Sequence, residues 1–543
     1  MQIKEWKGLI AAQIPYEFRE QIMRDLPGAQ FRAMPRSDGS VAKFWTIPLS
    51  PINCSYLRRY FHPALMMDGK LLEMAREYER ACEEKYAGKP PPIPDIVGVE
   101  PWNHQNQAFW WGRGLLGLML AFDMGTGKSL TTVGLILDAP HQRVLIACPK
   151  SVVTVWPTEL RWAADSLPCV ALQNGSVKAR AQELVKRLKL AALRNEPLVV
   201  VINYDSFWRE GMRELILDVP WDIFVMDESH RIKSPTGKAS KFASLVGSKA
   251  KRRIALTGTP MPHSPLDIFA QYRALDPAIF GNNFHKFKMK YALMGGFGGK
   301  QVIGYQNQEE LTKKFKSIAF QADKSLLDLP PFVHSFRTCE LNPKTAKVYK
   351  DLDKKLFAEI ESGTITPANA MVKVLRLQQL TGGYLKLDDG SLEQYGTEKK
   401  DLLADLLDDI PKDEPVVVFA RFTADIKNIK EAMKDAKRTC GELSGRANDL
   451  EGWQHGDFNS LAVQIRSGGV GISLVRASFC IYYSVGHSLG DYLQSLDRTH
   501  RHGQTKTVRY YHLLADGTID QKVYQALMAR KDVVDTIMKK EAK

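Results

Sequence analysis

Two successive series of short, near-continuous apolar runs constrain this chain more than any other feature. The first series is Leu115–Phe122, Arg143–Cys148, Leu198–Ile202, Ile223–Met226 and Arg253–Leu256. The second is Pro415–Ala420, Leu461–Ile465, Cys480–Ser484 and Val508–Leu514. Amphipathic stretches such as Thr423–Ala436 lie between them. A strand buried on both faces reads as an unbroken Val/Ile/Leu run, and such strands belong to parallel sheets covered by helices. Two series therefore predict an α/β chain with two tandem, doubly wound parallel-sheet lobes.

Ahead of the first lobe, residues 1–88 read as a small α+β unit. Gly8–Pro15 and Ala42–Pro48 are its expected strands, and Tyr16–Leu26 and Lys70–Tyr86 its expected helices. The segment Gly88-Lys89-Pro90-Pro91-Pro92-Ile93-Pro94 has the composition of a stiff, extended linker. These features set the expected domains at 1–95, 96–335 and 336–543. Gly295-Gly296-Phe297-Gly298-Gly299 reads as a loop tip within the less regular middle stretch, and Thr518–Met538 as a long amphipathic helix packing across a lobe.

Composition narrows the class of partner. The formal net charge is +14 over 543 residues. Residues 96–335 hold 30 Lys and Arg against 20 Asp and Glu, so this stretch carries ten of the fourteen surplus charges. The basic residues crowd between Arg231 and Lys316, which is the expected footprint of a phosphate-tracking surface or, equally, a solvated basic face. The longest apolar run, Gly114–Phe122, falls far short of the roughly 20 residues of a membrane span, so nucleic acid is the favoured polyanion and no membrane is expected. The seven cysteines are scattered without a C-x-x-C pair, which argues against structural zinc and a disulfide framework.

The chemistry-bearing residues sit at the ends of the apolar runs. Asp123-Met124-Gly125-Thr126-Gly127-Lys128-Ser129 follows the first run and opens a helical stretch. Glycines let backbone amides curl around phosphate oxygens, Lys128 can reach the β- and γ-phosphates, and Ser129 can hold Mg2+. Phe122 stands where the usual pattern opens on Gly. Asp227-Glu228-Ser229-His230 follows Ile223–Met226; Asp227 can hold Mg2+, and Glu228 can polarise an attacking water. In Gln494–Gln504, Arg498 and Arg501 are three apart, which on a helix places them on one face, able to clamp a transferring phosphoryl group. Thr257-Gly258-Thr259-Pro260 and Arg466-Ser467-Gly468-Gly469-Val470-Gly471 offer small residues and backbone amides at two further strand ends.

Taken in this order, the motifs resemble the Swi/Snf-related ATPases of helicase superfamily two, from Val99 to Met538. The resemblance implies RecA-like lobes, ATP and Mg2+ as cofactors, and DNA, duplex or forked, as partner. It implies Gln105 of His104-Gln105 as the adenine reader, Met124 to Ser129 as the phosphate loop, and Gln494 as a further nucleotide contact. Arg498 and Arg501 are implied as arginine fingers. Cys148-Pro149-Lys150-Ser151 with Trp156 and Glu159 is similar to the family's DNA-backbone segment, and Asn203-Tyr204 to the next one. Lys233, Thr257, Gln464, Ser467 and Gly468 complete the implied nucleic-acid set. The family's hydroxyl residues before the double Gly are here Gln464 and Ile465. Phe31-Arg32, Phe44–Leu49 and Tyr56-Leu57 are similar to the small accessory domain of the annealing-helicase branch, which implies recognition of forked or branched DNA.

The expected function is an ATP-dependent duplex-DNA translocase or helicase of Swi/Snf type, hydrolysing ATP between its lobes. The alternatives are an RNA-dependent ATPase and a non-catalytic nucleic-acid clamp, the latter resting on Phe122 at the loop start. A cytoplasmic setting, bacterial or phage, or a nuclear one in a eukaryote, is expected. DNA repair is one pathway among several left open.

Overall fold

The computed structural model describes residues 2–26, 28–35, 40–61, 66–85, 88–138, 143–296, 299, 301–361, 367–387, 389–465 and 472–538. Three sheets organise them. The first contains β1 (Gln2–Trp6), β2 (Leu9–Ala12), β3 (Gln30–Pro35), β4 (Val41–Pro48) and β5 (Met66–Met67), in the order β3-β4-β2-β1-β5. Trp45 and Ile47 of β4, Ile10 of β2 and Ile3 of β1 face the helices Pro51–Phe61 and Gly69–Glu84, with Leu57 and Leu71 filling the interface. Sequence reading missed β1, β3 and the two-residue β5. Every residue of β3 is exposed, so it has no apolar face to betray it.

The second sheet is wholly parallel. Its strands are β6 (Gly117–Phe122), β7 (Arg143–Cys148), β8 (Cys169–Leu172), β9 (Leu198–Asn203), β10 (Ile223–Asp227) and β11 (Arg252–Leu256), and, beyond the hairpin β12 (Ala292–Gly295) and β13 (Gln301–Tyr305), β14 (Ala319–Ala322). They lie in the order β14-β6-β11-β10-β7-β9-β8. The third main sheet is also parallel. It comprises β15 (Phe332–Cys339) and, after the short hairpin β16 (Tyr384–Lys386) and β17 (Leu392–Gln394), β18 (Val416–Ala420), β19 (Cys440–Leu443), β20 (Ser460–Gln464), β21 (Phe479–Tyr482) and β22 (Val508–Ala515). Their order is β15-β22-β21-β18-β20-β19. Val416 and Val418 of β18 pack on Leu403 and Ile429 of the flanking helices. The α/β class and both parallel sheets are as expected.

The chain divides into two compact units, Met1–Asp323 with Val534–Lys543, and Lys324–Val533. The sequence boundary at 335/336 falls inside β15, whose neighbour is β22 of the second unit. The first sheet is anchored to the lobe that follows it. Tyr78 donates to the Ser317 carbonyl at 3.4 Å and Lys85 Nζ to the Lys316 carbonyl at 2.7 Å. The Pro-rich segment is pinned along the helix Asn103–Gly112: the Ile93 amide donates to Asn106 Oδ1 at 2.9 Å, and the Trp110 indole to the Pro91 carbonyl at 2.8 Å. The segment is thus an extended strap held at several points. The Gly295–Gly299 tip lies between β12 and β13, with residues 297 and 298 outside the described set. The last helix is Ile519–Met538, and its Tyr524 packs edge-on against Phe336. No helix among the described residues is long and apolar enough to cross a membrane.

The helices Lys238–Lys249 and Ile268–Leu275 approach closely at Gly247, where an added Cβ would lie 2.2 Å from the Ala274 carbonyl oxygen. Backbone cannot yield as a side chain does. Gly247→Ala is therefore expected to destabilise the first unit by about 1–3 kcal/mol, read as a lower urea midpoint at unchanged slope. Gly69→Ala, with open space around the added Cβ, should leave the midpoint unchanged or slightly raised.

Candidate active site

β6, β11 and β10 are parallel neighbours, so their C-terminal ends open on one edge of the sheet. The phosphate-loop candidate leaves β6 there. Gly125 and Gly127 take φ of +87° and +85°, left-handed positions that suit glycine. Phe122 is fully buried as the last residue of β6, and the loop forms with the two later glycines supplying the curvature. Thr126 Oγ1 donates to the Asp123 carbonyl at 2.8 Å, and Lys128 Nζ folds back to the carbonyls of Phe122 at 2.8 Å and Asp123 at 3.2 Å. The helix Lys128–Leu137 begins immediately after.

Gln105 does something other than wait for a base. Its Oε1 accepts from the Trp102 amide at 2.8 Å, and its Nε2 donates to the Thr126 carbonyl at 3.1 Å. A Cβ on Gly127 would lie 1.9 Å from that Nε2. His104 Nε2 also meets the Thr126 carbonyl, at 2.7 Å. Through these bonds the helix Asn103–Gly112 braces the loop from behind, and the side chain expected to read adenine is part of that brace.

The acidic pair closes the same edge. Asp227 ends β10, and Glu228 follows with φ 48° and ψ 53°, a left-handed conformation costly for a residue with a Cβ. That turn is held by the Glu228 amide donating to Asp227 Oδ1 at 2.9 Å and the Arg231 amide donating to the Glu228 carbonyl at 2.9 Å. The Trp156 indole donates to Asp227 Oδ2 at 3.0 Å, and Tyr204 Oη to the Asp227 carbonyl at 2.7 Å. Burial and the adjacent Glu228 charge push the Asp227 carboxyl up, while the Trp156 hydrogen bond and the Lys128 charge oppose them. Burial would raise Glu228 too, but His230, 3.3 Å from Oε2, outweighs it together with the Lys128 and Arg231 charges and holds the carboxyl below its usual range. Of the two carboxyls, Glu228 is the one whose surroundings favour the charged form. Burial raises the Glu159 carboxyl, and the nearby Ser129 hydroxyl opposes that rise.

Polar bonds link this pair to the turn after β11. His230 Nδ1 lies 3.2 Å from Thr257 Oγ1, which also accepts from the Thr259 amide. Ser229 Oγ donates to Gln271 Oε1 at 2.7 Å, and Gln271 Nε2 to the Pro260 carbonyl at 2.7 Å. Sequence reading missed the roles of Trp156, Glu159, Ser229 and Gln271 here. For the first two, a signal existed in their spacing of three.

Several expected contacts prove internal. Asn203 is buried and caps a helix by accepting from the Ser206 amide at 3.0 Å; Tyr204, Thr257 and Pro149 are buried as well. Their side chains pack and form hydrogen bonds within the lobe. Lys150 and Ser151 are exposed, and Lys233 and Gln464 half-buried. Gln464 Nε2 donates to the Arg421 carbonyl at 3.4 Å. Ser467 and Gly468 lie outside the described residues, as does the rest of 466–471. The basic crowd is also partly consumed. Arg252 and Arg253 turn inward to the carbonyls of Gly112 and Leu275, Lys251 pairs with Asp222 at 2.6 Å, and Glu310 takes both Lys290 and Lys314.

In the second unit the helix Leu489–Thr499 is capped by Ser488, and His500 leaves it at φ −100° and ψ 80°. Arg498 is therefore the last-turn residue while Arg501 lies beyond the helix, so the two do not share a helix face. Gln504 fixes the departure: its Nε2 donates to the carbonyls of Val475, Ala477 and Thr499. Arg498 is 5% exposed, its Nη1 has no hydrogen-bond partner among the described residues, and burial lowers its guanidinium to about 10. Arg501 Nη1 donates to the Ile472 carbonyl at 3.3 Å. Gln494 is half-buried on the same helix as Arg498.

Two parallel sheets, with a glycine-rich loop and an Asp-Glu pair at neighbouring strand ends of the first, define the class of a two-sheet α/β protein. The SNF2-related domain matches residues 78–382 and the helicase conserved C-terminal domain residues 398–503. The chain belongs to the SNF2-related family. It is 26% identical to an uncharacterized ATP-dependent helicase of Mycoplasma pneumoniae, over 80% of this chain and 42% of that protein. It is 22% identical to the human DNA repair and recombination protein RAD54B, over 78% of this chain and 52% of that one. It spans about half the length of the curated relatives it matches. A solved structure, the Sulfolobus solfataricus SWI2/SNF2 ATPase core in complex with dsDNA, is 25% identical, covering 83% of this chain and 95% of that one at a TM-score of 0.39.

The bracing of the loop makes a direct prediction. Gly127→Ala collides with Gln105 and strains a left-handed position, so nucleotide affinity measured by fluorescent-analogue titration should fall by about tenfold or more. Gln105→Leu should weaken triphosphate and adenine-free tripolyphosphate alike. Selective loss of adenine-nucleotide binding would restore base reading to Gln105.

Proposed function

We propose that the chain is an ATP-dependent DNA translocase or helicase that hydrolyses ATP with Mg2+. The observation that carries this reading is the convergence of Lys128, Ser129, Asp227 and Glu228 at one sheet edge, where the Lys128 charge acts on both carboxyls. Ser129 and Asp227 present a hydroxyl and a carboxylate, the hard oxygen donors that suit Mg2+. When bound, that ion neutralises phosphate charge.

Each residue then has a task. Lys128 exchanges its loop carbonyls for phosphate oxygens. Glu228, kept ionised by His230, orients a water and accepts its proton as the oxygen attacks the γ-phosphorus and the bond to ADP breaks. Arg498 and Arg501 are the proposed arginine fingers; the unfilled Nη1 of Arg498 suits a donor reserved for charge that develops on the transferred phosphoryl. The bonds from Ser229 and His230 to the turn at Thr257–Pro260 give hydrolysis a route to a neighbouring strand end.

Duplex DNA is the proposed track. Relatives named as ATP-dependent helicases and as DNA repair and recombination proteins support it, as does the exposed pair Lys150 and Ser151. Forked or branched DNA is the proposed preference of the N-terminal sheet, and a cytoplasmic or, in a eukaryote, nuclear setting follows from the substrate.

ATP turnover measured without nucleic acid and with single-stranded, duplex, forked and RNA cofactors tests this reading. Duplex or forked DNA should raise turnover about tenfold, with Lys128→Ala inactive throughout. Turnover indifferent to DNA contradicts the proposal, stronger stimulation by RNA moves the chain to the RNA-dependent class, and binding without phosphate release identifies a clamp.

A further inference from the structure

The segment after β7 reaches the acidic edge twice. Lys150–Val152 forms a 3-10 turn, and Trp156–Glu159 a single turn of α-helix. Residues three apart project from one helix face. From that face the Trp156 indole donates to Asp227 Oδ2 at 3.0 Å, and the Glu159 carboxyl lies close enough to Ser129 for that hydroxyl to offset part of the effect of burial on it. One short helix thus meets the side chains of both proposed cation ligands, which come from the start of the helix Lys128–Leu137 and the end of β10.

We propose that Trp156 and Glu159 are positioning residues that set the two cation ligands, Asp227 and Ser129, for Mg2+ bound with nucleotide. This rests on the reading of the edge as a nucleotide site.

The chemistry of the partners makes the assignment specific. An indole N–H only donates, so Trp156 always meets a carboxylate lone pair and fixes the rotation of the Asp227 carboxyl. The Glu228 amide holds the other oxygen. Each oxygen keeps a second lone pair for an ion or its water. A serine hydroxyl that gives its proton to Glu159 turns its own lone pairs elsewhere, which is the orientation a cation ligand needs. Replacing groups that orient metal ligands in this way typically costs roughly 10–100-fold in metal affinity.

Trp156 is also a buried core residue, 1% exposed, so the test must separate packing from positioning. Trp156→Phe keeps a ring and loses the N–H. Glu159, half-buried at the end of its turn, is replaced by Ala, and Glu159→Gln retains an oxygen able to accept from the Ser129 hydroxyl. The readout is Mn2+ affinity in saturating ADP, from the electron paramagnetic resonance of free Mn2+, beside metal-free ADP affinity and the thermal midpoint.

Trp156→Phe and Glu159→Ala should each weaken ADP-dependent Mn2+ binding about tenfold, with metal-free ADP affinity unchanged and Glu159→Gln largely restored. Wild-type Mn2+ affinity in both Trp156→Phe and Glu159→Ala overturns the inference while the nucleotide site stands. Equal loss of metal-free ADP binding also overturns it, since the residues then support the fold alone. Where Trp156→Phe lowers the thermal midpoint, the Glu159 pair decides. If the wild-type chain shows no ADP-dependent Mn2+ binding, the nucleotide reading itself falls, and this inference with it.

Discussion

Two adjacent carboxylates, half-buried Asp227 and buried Glu228, stand together at a strand end, and the candidate site is organised around what their withdrawal from solvent demands. An unpaired buried charge is strongly unfavourable. The fold meets the demand with local donors: the Trp156 indole and the Glu228 amide on Asp227, and His230 on Glu228. The left-handed conformation at Glu228 separates the two groups in direction, although they are neighbours in sequence. One carboxyl is driven up and the other down, which is the asymmetry expected where two acidic groups take different tasks.

The same bonds explain why residues expected at a nucleic-acid surface are found inside. Tyr204 is needed by the Asp227 carbonyl, and Thr257 by His230 and Thr259. The motif from β9 and that from β11 therefore belong to the frame of the acidic pair. Gln105 belongs to the frame of the phosphate loop in the same sense.

Strands in the middle of the two large sheets were legible because burial on both faces forces an unbroken apolar run. The four that were not legible, β8, β14, β15 and β19, are all edge strands. β15 shows why, since most of its residues are exposed or half-buried and lack an apolar signature. The loop and the acidic tetrad were legible because glycines and adjacent carboxylates at strand ends are chemically distinctive. Side-chain direction was not. Charge counting read Arg252 and Arg253 as surface, whereas both guanidiniums turn inward to backbone carbonyls. Spacing placed Arg498 and Arg501 on one helix, but whether a helix continues past Thr499 depends on the carbonyls that Gln504 captures from distant residues.

The central claim is that Glu228 is the group that handles the attacking water, while Asp227 and the loop hold the nucleotide. Single-turnover hydrolysis by Glu228→Gln, with ATP affinity measured in parallel, tests it most directly. The account predicts ATP binding within about threefold of wild type and a hydrolysis rate lower by about 10²–10⁴-fold. Hydrolysis at the wild-type rate, or a loss explained wholly by weaker ATP binding, would contradict it.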